Sequence, residues 1–398
     1  MNKKLLTYSS YFYLMSYAFT VTIIGPCNGY IDAAFNAGAR TMGILISTHF
    51  AGFILTTIYA GYLVERTGIK PVMIGSIIVL GVSLIGFGQS KCLIMLFTAM
   101  FLTGVGGGAV ESAVNALISR MYSETRVYNL NLLHVFFGIG AFLWPTIATG
   151  LLMRGVSWRT LYLFIGLFSI LMALVMSLQK FPVMSSEGLI RLADIVDVAK
   201  RPTVVLLGGV IALYVGGEMG INAWVVRYFQ EELGFVKADV PLIGVTLNAG
   251  FFLTLYWFTM TLGRLFVTIA GKYVADHILL KIVTTFSAVS AIAAFSVDNI
   301  FLAGFFLGLT GLFFSGIFAT SIAIGGNRFP ERVGIISGLI IAFSGIGNVF
   351  LNYSIGEIAQ RMNSIRAGLL FVAVMLAGMA VCAFFVRSGK YPRDEIRH

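Results

Sequence analysis

The chain has 398 residues, of which 58% are hydrophobic and only 11% are charged, and its mean hydropathy is +0.92. Soluble domains carry about 25% charged residues, so this composition excludes a water-soluble globule. The formal net charge of +10 comes from basic residues in short segments between apolar runs, which indicates membrane topology and not nucleic-acid binding. The apolar runs are continuous and do not alternate with polar residues, which excludes a transmembrane β-barrel.

Twelve apolar runs are long enough to cross a bilayer, which takes about 20 residues as a helix. They predict an all-α membrane protein with twelve transmembrane helices in two six-helix bundles. The runs lie near residues 8–31, 41–64, 71–89, 94–119, 128–152, 159–178, 202–228, 242–270, 278–297, 300–324, 333–356 and 366–387.

One connection is much longer than the others and divides the runs into six and six. We expect an N-terminal bundle over 1–178, a cytoplasmic linker over 179–201 and a C-terminal bundle over 202–398. The apolar residues near the middle of the linker are spaced as in an amphipathic helix that lies on a membrane surface. Two six-helix halves with a binding site between them near the membrane midplane form the usual layout of a secondary transporter.

The distribution of Lys and Arg predicts the orientation of the chain. Most of the 27 basic residues fall on the side that holds the linker and both termini, including Lys3, Lys4, Arg66, Arg264 and Arg328. Because cytoplasmic connections are richer in Lys and Arg, both termini are expected in the cytoplasm. We expect a multi-pass protein of a bacterial inner membrane.

The fourth run carries Glu111 near its middle, and Asn115 follows one helical turn later on the same face. An ionisable group inside a membrane is costly and is by default a functional candidate. The alternative is that Glu111 pairs with a basic residue or a hydroxyl group to lock helices together, but few basic side chains fall within the runs. A buried carboxyl group that takes up and releases a proton would serve as a proton-coupling site.

The first run contains Gly25 and Pro26, beside Asn28, within the stretch IGPCNGYID at 24–32. Irregular backbone in a membrane is tolerated where it lines a cavity, so we expect a break here with Asn28 facing substrate. A simple kink is the alternative. Asp32 is expected at the outer end of this run, exposed to water.

The fifth run opens with Asn131 and His134, which are three residues apart and lie beside Phe137. Hydrogen-bonding groups next to aromatic rings suit a sugar, which presents both hydroxyl groups and C–H faces. The alternative for His134 is a hydrogen bond to a neighbouring helix.

Further polar and aromatic candidates for substrate binding lie in the second half. Taken alone, each residue is better explained by a hydrogen bond or contact that packs two helices together. Together, amides and aromatic rings from both halves are what a polyol-sized site needs. The candidates are Glu218, Asn222, Trp224, Asn248, Tyr256, Asn348 and Asn352.

The segment GYLVERTGIKP at 61–71 resembles the loop signature of the major facilitator superfamily, roughly G-x-L-a-D-R-x-G-R-R. Glu65 replaces the usual Asp, and Ile69 replaces a usual basic residue. The resemblance implies a cytoplasmic latch that pairs with neighbouring helix ends in one conformation and releases in the other. Its residues here are Gly61, Glu65, Arg66, Gly68 and Lys70.

A narrower resemblance, over nearly the whole chain, is to the fucose permease and glucose proton symporter group. VESAVNA is similar to that group's L-E-T-A-A-N-P, which places Glu111 on its membrane carboxylate and Asn115 on its Asn. His134 and Glu218 each stand where the group has a Gln. The acid that follows the group's first-helix Asn is Gly29 here, so the sugar itself is not fixed by the resemblance.

These observations predict a secondary active transporter that imports a sugar or related polar small molecule with a proton, by alternating access. We expect a small-molecule substrate, the lipid bilayer as surroundings, no cofactor besides the coupling ion, and a monomer. The alternative is an efflux pump for drugs or another metabolite that exchanges its substrate for protons. An enzyme is disfavoured because no HExxH or GxSxG motif occurs, and the three cysteines lie far apart.

Overall fold

A computed structural model describes residues 3–122, 125–182, 197–240, 245–271, 273–329 and 333–386. In the first half, seven helices follow one another. They are α1 (Lys3–Thr22), α2 (Ile24–Phe35), α3 (Gly38–Thr67), α4 (Ile69–Gly88), α5 (Leu93–Met121), α6 (Arg126–Met153) and α7 (Trp158–Ser177). Most of the expected linker, residues 183–196 with its amphipathic segment, lies outside the described residues.

Among its described residues, the second half adds seven helices and one antiparallel hairpin of two short strands. They are α8 (Pro202–Glu231), β1 (Lys237–Val240), β2 (Val245–Asn248), α9 (Gly250–Ala270), α10 (Asp276–Ser296), α11 (Ile300–Phe314), α12 (Ile317–Arg328), α13 (Val333–Met362) and α14 (Ile365–Phe385). Within the described residues, nine helical stretches have the length and composition to cross a membrane. The first, second and eleventh expected runs are helical too, with α3 and α13 each 30 residues long.

The first run does not break at 24–32, because this stretch lies inside α2. Ile23, between α1 and α2, keeps helical backbone angles (φ −66°, ψ −27°), and its N–H bonds the carbonyl of Phe19 at 3.0 Å. Pro26 explains the interruption between the two helices, because its nitrogen carries no hydrogen to bond the carbonyl of Thr22 four residues before it. A second interruption, at Ser315 and Gly316, separates α11 from α12.

The eighth run also starts later than expected. Residues 245–248 belong to the hairpin, and the helix begins at Gly250. Asn248 ends the strand and starts the helix, because its side-chain Oδ1 accepts a hydrogen bond from the backbone N–H of Gly250 at 2.9 Å. This is the capping role for which Asn is favoured at helix starts.

The helices pack in two groups, and the two groups meet mainly through three pairs of helices. In the first half α5 packs between α3 and α4, and in the second half α8 packs against α13 and α14. Across the interface, α3 contacts α13, α6 contacts α9, and α2 contacts α8. We call the end of the molecule with residues 237–248 the hairpin end, and the opposite end, where Lys3 begins α1, the terminal end.

Candidate functional site

Glu111 is half-buried on α5 and interacts electrostatically with Glu218 of the second half. The helix comes close to α1 through Gly107, where an added Cβ would lie 2.6 Å from the hydroxyl oxygen of Tyr17. Tyr17 in turn interacts electrostatically with Glu111. The side-chain nitrogen of Asn115 donates to the backbone carbonyl of Glu111 at 2.9 Å. In the described part of the chain, Glu111 has no ion-pair partner.

Aromatic rings join α1, α6 and α9 beside this acid. The ring of Phe137 lies 6.3 Å from that of Tyr17 and 6.0 Å from that of Trp257. His134 lies one turn before Phe137 on α6 and is half-buried. Asn131 belongs to α6, but its side chain lies outside the described residues. The predicted neighbourhood of His134 and Phe137 therefore contains two further rings, Tyr17 and Trp257, that sequence reasoning did not single out.

Glu218 faces the same region from the second half and is only 6% exposed. Tyr214, one turn earlier on α8, interacts with its carboxyl group. Arg264 of α9 attracts this carboxyl group, and Glu111 of α5 acts on it across the interface. Tyr256 interacts electrostatically with Glu218 from α9. Two acids, one from each half, thus share one electrostatic environment.

Arg264 is a site residue that the sequence analysis did not single out. It was counted with the basic residues of the cytoplasmic side, and the structure places it inside α9, six residues before the helix ends. Its Nη1 donates to the backbone carbonyl of His134 at 3.1 Å, across the interface between halves. A basic residue within the apolar run 242–270 was the signal that could have identified it.

The amides of α2 and α8 join the two halves directly. Asn28 is fully buried, and its Nδ2 donates to the carbonyl of Ala223 at 2.8 Å. Asn222 donates to the carbonyl of Val21 at 3.0 Å and accepts from the indole nitrogen of Trp257 at 2.9 Å. In this conformation these two predicted substrate ligands hold helices together.

The remaining candidates lie farther along the interface. Trp224 is fully buried on α8, and Asn248 donates to the carbonyl of Thr146 at 3.1 Å at the hairpin end. Asn352 donates to the backbone carbonyl of Asn348 on α13 at 3.0 Å. The Oδ1 atoms of both α13 amides are buried without a hydrogen-bond partner among the described residues.

Ion pairs between the halves close the hairpin end. Asp32 Oδ2 lies 2.7 Å from Nη1 of Arg227, and the two side chains are only 14% and 15% exposed. Arg40 Nε lies 2.6 Å from Oε2 of Glu357. The expectation that Asp32 is simply exposed to water was therefore wrong, because α8 brings a guanidinium group to it.

The predicted latch is not a loop, because α3 runs to Thr67 and α4 begins at Ile69, with Gly68 between them at φ +89°. Glycine adopts this left-handed geometry without a steric penalty. The Nζ of Lys70 donates to the carbonyls of Ser177 and Gln179 at 2.8 and 2.9 Å, which ties this turn to the end of α7. Arg66 donates to the hydroxyl group of Tyr62 at 3.0 Å. The side chains of Gly61 and Glu65 lie outside the described residues.

The family model described as Major Facilitator Superfamily matches residues 11–269. The chain belongs to the Major Facilitator Superfamily. It is therefore a membrane-embedded, multi-pass transporter and not an enzyme, as the sequence analysis predicted.

Curated relatives and solved structures agree with this family. The chain is 24% identical to the protein TsgA homolog of Serratia proteamaculans (strain 568) over 388 residues, with 96% of this chain and 95% of the relative covered. It is 23% identical to the protein TsgA homolog of Yersinia pestis (strain Pestoides F) over 399 residues, with 97% of both covered.

Three solved transporters share the fold at low sequence identity. A bacterial homolog of the human lysosomal transporter Spinster, in an inward-facing and occupied conformation, gives a TM-score of 0.77 at 15% identity, with 98% of both chains covered. A mutant of the nucleoside transporter NupG gives 0.77 at 12%, with 96% of this chain and 98% of that chain covered. A variant of the E. coli fucose:proton symporter FucP gives 0.66 at 18%, with 97% and 98% covered. At these identities the likeness shows the fold alone.

Proposed function

We propose that this transporter imports a sugar or related polar small molecule together with a proton, by alternating access. The observation that carries the proposal is that two acids, half-buried Glu111 and buried Glu218, come one from each half to a region lined by aromatic rings and amides. A transporter that alternates its access needs its coupling and binding groups where the two halves meet, near the middle of the membrane.

Glu111 is the proposed proton carrier. It lies in a membrane-spanning helix, and in the described part of the chain it has no ion-pair partner. Leaving an uncompensated carboxylate in a buried site is costly, so a bound proton stabilises the conformations in which Glu111 is shielded from water. Water reaching Glu111 from one side and then from the other would load and release that proton.

The groups around Glu111 and Glu218 suit a neutral substrate that carries hydroxyl groups. Rings from three helices, Tyr17, Phe137 and Trp257, lie next to hydrogen-bonding groups on α5 and α8. Aromatic faces stack on the C–H faces of a sugar ring, and polar groups fix its hydroxyls. FucP, whose fold this chain shares, is described as a fucose:proton symporter, which makes a sugar the first class to test.

The termini are proposed to be cytoplasmic, with the hairpin end outside a bacterial inner membrane, because the terminal end is richer in Lys and Arg. We further propose that the transporter works as a monomer, since both acids of the site belong to one chain.

The test begins with a substrate. Purified protein is screened by thermal shift with monosaccharides, amino sugars, small acids and lipophilic cations, because a specific ligand stabilises the folded state by mass action. The ligand found is then used with Glu111→Gln in proteoliposomes. We expect loss of proton-driven accumulation and retention of counterflow exchange, in which no net proton movement is needed.

Asp239→Asn is the matched control, because Asp239 is an acid on the hairpin, away from the site. The Asp239→Asn protein should take up the ligand as fast as the parent protein does. Proton-driven accumulation by Glu111→Gln would refute Glu111 as the coupling site. Extrusion of lipophilic cations with no response to sugars would refute import and support the efflux alternative.

A further inference from the structure

A groove on the lipid-facing side of α4 and α5 takes no part in the site between the two halves. Its volume is about 340 Å³. The last turns of α4 and the first turns of α5 line it, through residues that include Val82, Gly86, Ile94, Ala99 and Leu102. Val82 and Ile94 are exposed although both helices are long and apolar enough to span the membrane, so the groove faces lipid. We call it the α4–α5 groove.

The α4–α5 groove suits a hydrocarbon chain and not a polar ligand. Its two hydroxyl groups are already bonded inside the protein, because Thr98 donates to the carbonyl of Ile94 at 2.8 Å, and Ser83 donates to the carbonyl of Leu80 at 2.9 Å. The other lining residues are apolar. From Ile94 to Leu102 the groove runs about 12 Å along α5, close to the depth of one leaflet, about 15 Å.

The equivalent helices of the second half, α10 and α11, provide an internal comparison. The hydroxyl oxygens of Thr103 and Ser83 are 3.1 Å apart between α5 and α4. Those of Thr310 and Ser290 are also 3.1 Å apart, between α11 and α10. These matched bonds align the two halves, and one constant shift along the chain relates them.

In the second half, aromatic side chains stand where the groove lies in the first half. By the constant shift, Phe305 is at the position of Thr98. Phe306 is at the position of Ala99, and the rings of the two phenylalanines are 5.6 Å apart. The first half has only a small hydroxyl-bearing side chain and a methyl group at these positions, which leaves the groove open.

The charges at the hairpin end of these helices differ between the halves as well. Arg159 and Arg366 are each the second residue of the last helix in their half. Arg366 is paired with an acid, since its Nη1 lies 2.6 Å from Oδ1 of Asp298. At the position of Asp298 the first half has Lys91, and Arg159 Nη1 donates to two backbone carbonyls just before Lys91, at 2.9 and 2.7 Å. One half thus has a balanced pair where the other has two cations.

No ion-pair partner of Lys91 or Arg159 occurs among the residues that the structure describes. We propose that the α4–α5 groove binds one anionic phospholipid of the leaflet at the hairpin end. An acyl chain lies in the groove, and the phosphate group meets Lys91 and Arg159, because basic groups at a membrane surface attract anionic headgroups. A second copy of the chain fits less well, since a two-fold dimer through this face would bring the same cations together.

Native mass spectrometry of the full-length protein tests the headgroup contact. Delipidated protein is titrated with phosphatidylglycerol or with phosphatidylethanolamine of the same acyl chains, and the dissociation constant of the first retained lipid is measured. The parent protein should bind phosphatidylglycerol more tightly. Lys91→Gln should weaken phosphatidylglycerol binding about fivefold and phosphatidylethanolamine binding less. Lys91→Asp, which copies Asp298, should abolish the preference. Lys237→Gln, which removes an exposed basic residue on the hairpin, is the control and should change neither constant.

A second pair of variants tests the groove itself. An added Cβ at Gly86 would have the Cβ of Ala99 as its nearest neighbour, at 4.0 Å, so the helix accepts a larger side chain that occupies the groove. Gly86→Leu should weaken the binding of both phospholipids. Gly75→Leu is the matched control, because Gly75 lies on the same helix with nothing within 4 Å of an added Cβ. Its lipid binding should equal that of the parent protein.

Three results would overturn the proposal. They are equal affinity of the parent protein for the two phospholipids, unchanged phosphatidylglycerol binding in Lys91→Gln, and unchanged binding in Gly86→Leu. A dimeric parent protein that Gly86→Leu converts to a monomer would also overturn it, because the groove would then hold a second copy of the chain. These measurements need no transported substrate, so their failure leaves the proposed function standing, and loss of proton-driven uptake leaves this inference standing.

Discussion

The ion pair between Asp32 and Arg227 should control how often the hairpin end of the interface opens. The two charged atoms are 2.7 Å apart, and the side chains are 14% and 15% exposed, so the pair is neither buried nor freely solvated. Exposed pairs contribute up to about 1 kcal/mol, and breaking a buried pair costs about 3–5 kcal/mol. Arg227 retains Glu231 as a partner at 2.7 Å when Asp32 is lost, which limits the cost.

Asp32→Asn should therefore destabilise the closed hairpin end by about 2 kcal/mol, between these limits. That free energy corresponds to about a 30-fold rise in the ratio of open to closed molecules. The readout is the distance distribution between spin labels on the two halves at this end. Cys92 is exposed and natural, and Lys237→Cys supplies the second site on the hairpin, with Cys27 and Cys382 replaced.

The double variant Asp32→Asn/Arg227→Gln supplies the control. If the pair itself is responsible, the combined effect should fall short of the sum of the two single effects. Unchanged distance distributions in Asp32→Asn, or effects that add fully, would refute the reasoning that this contact holds the hairpin end closed.

Three further predictions follow from contacts between helices. Glu357→Gln should shift the same distance distribution less than Asp32→Asn does, because its partner Arg40 is 51% exposed; an equal shift would contradict this. Gly43→Ala should lower the unfolding temperature, because its Cβ would lie 2.7 Å from the carbonyl of Asn352, whereas Gly75→Ala, with nothing within 4 Å, should leave it unchanged or higher. Asn222→Ala should lower the free energy of unfolding by about 1–3 kcal/mol, because the indole of Trp257 and the carbonyl of Val21 lose their partner; chemical denaturation in detergent measures it, and no change would mean that water replaces the amide.

Much of the fold was predictable because hydrocarbon imposes a simple demand on the backbone. Every spanning segment must bond its own N–H and C=O groups, so long apolar runs become helices whatever their neighbours are. The runs at 71–89 and 159–178 therefore match α4 and α7 within a few residues. The misplaced boundaries, the interruption of hydrogen bonding at Ile23 and the helix start at Gly250, lie where one proline or one capping amide decides the geometry.

The residue types of the candidate site were predictable from the sequence, but the contacts between residues of different helices were not. Glu111 and Glu218 stand out because charged residues are rare in apolar helices. That Arg264 bonds the carbonyl of His134 could not be read from the chain, since the two are 130 positions apart on different helices. The same holds for Asp32 and Arg227, one at the end of α2 and the other near the end of α8.

The sequence by itself therefore determined a multi-pass helical transporter with acids inside its helices, because hydropathy and the rarity of buried charge act locally along the chain. The tertiary structure alone decided which polar groups of different helices meet, such as Arg264 with the carbonyl of His134 and Asp32 with Arg227. Electrostatic partners are chosen by distance in space, and close approaches at residues such as Gly107, Gly138 and Gly263 set those distances.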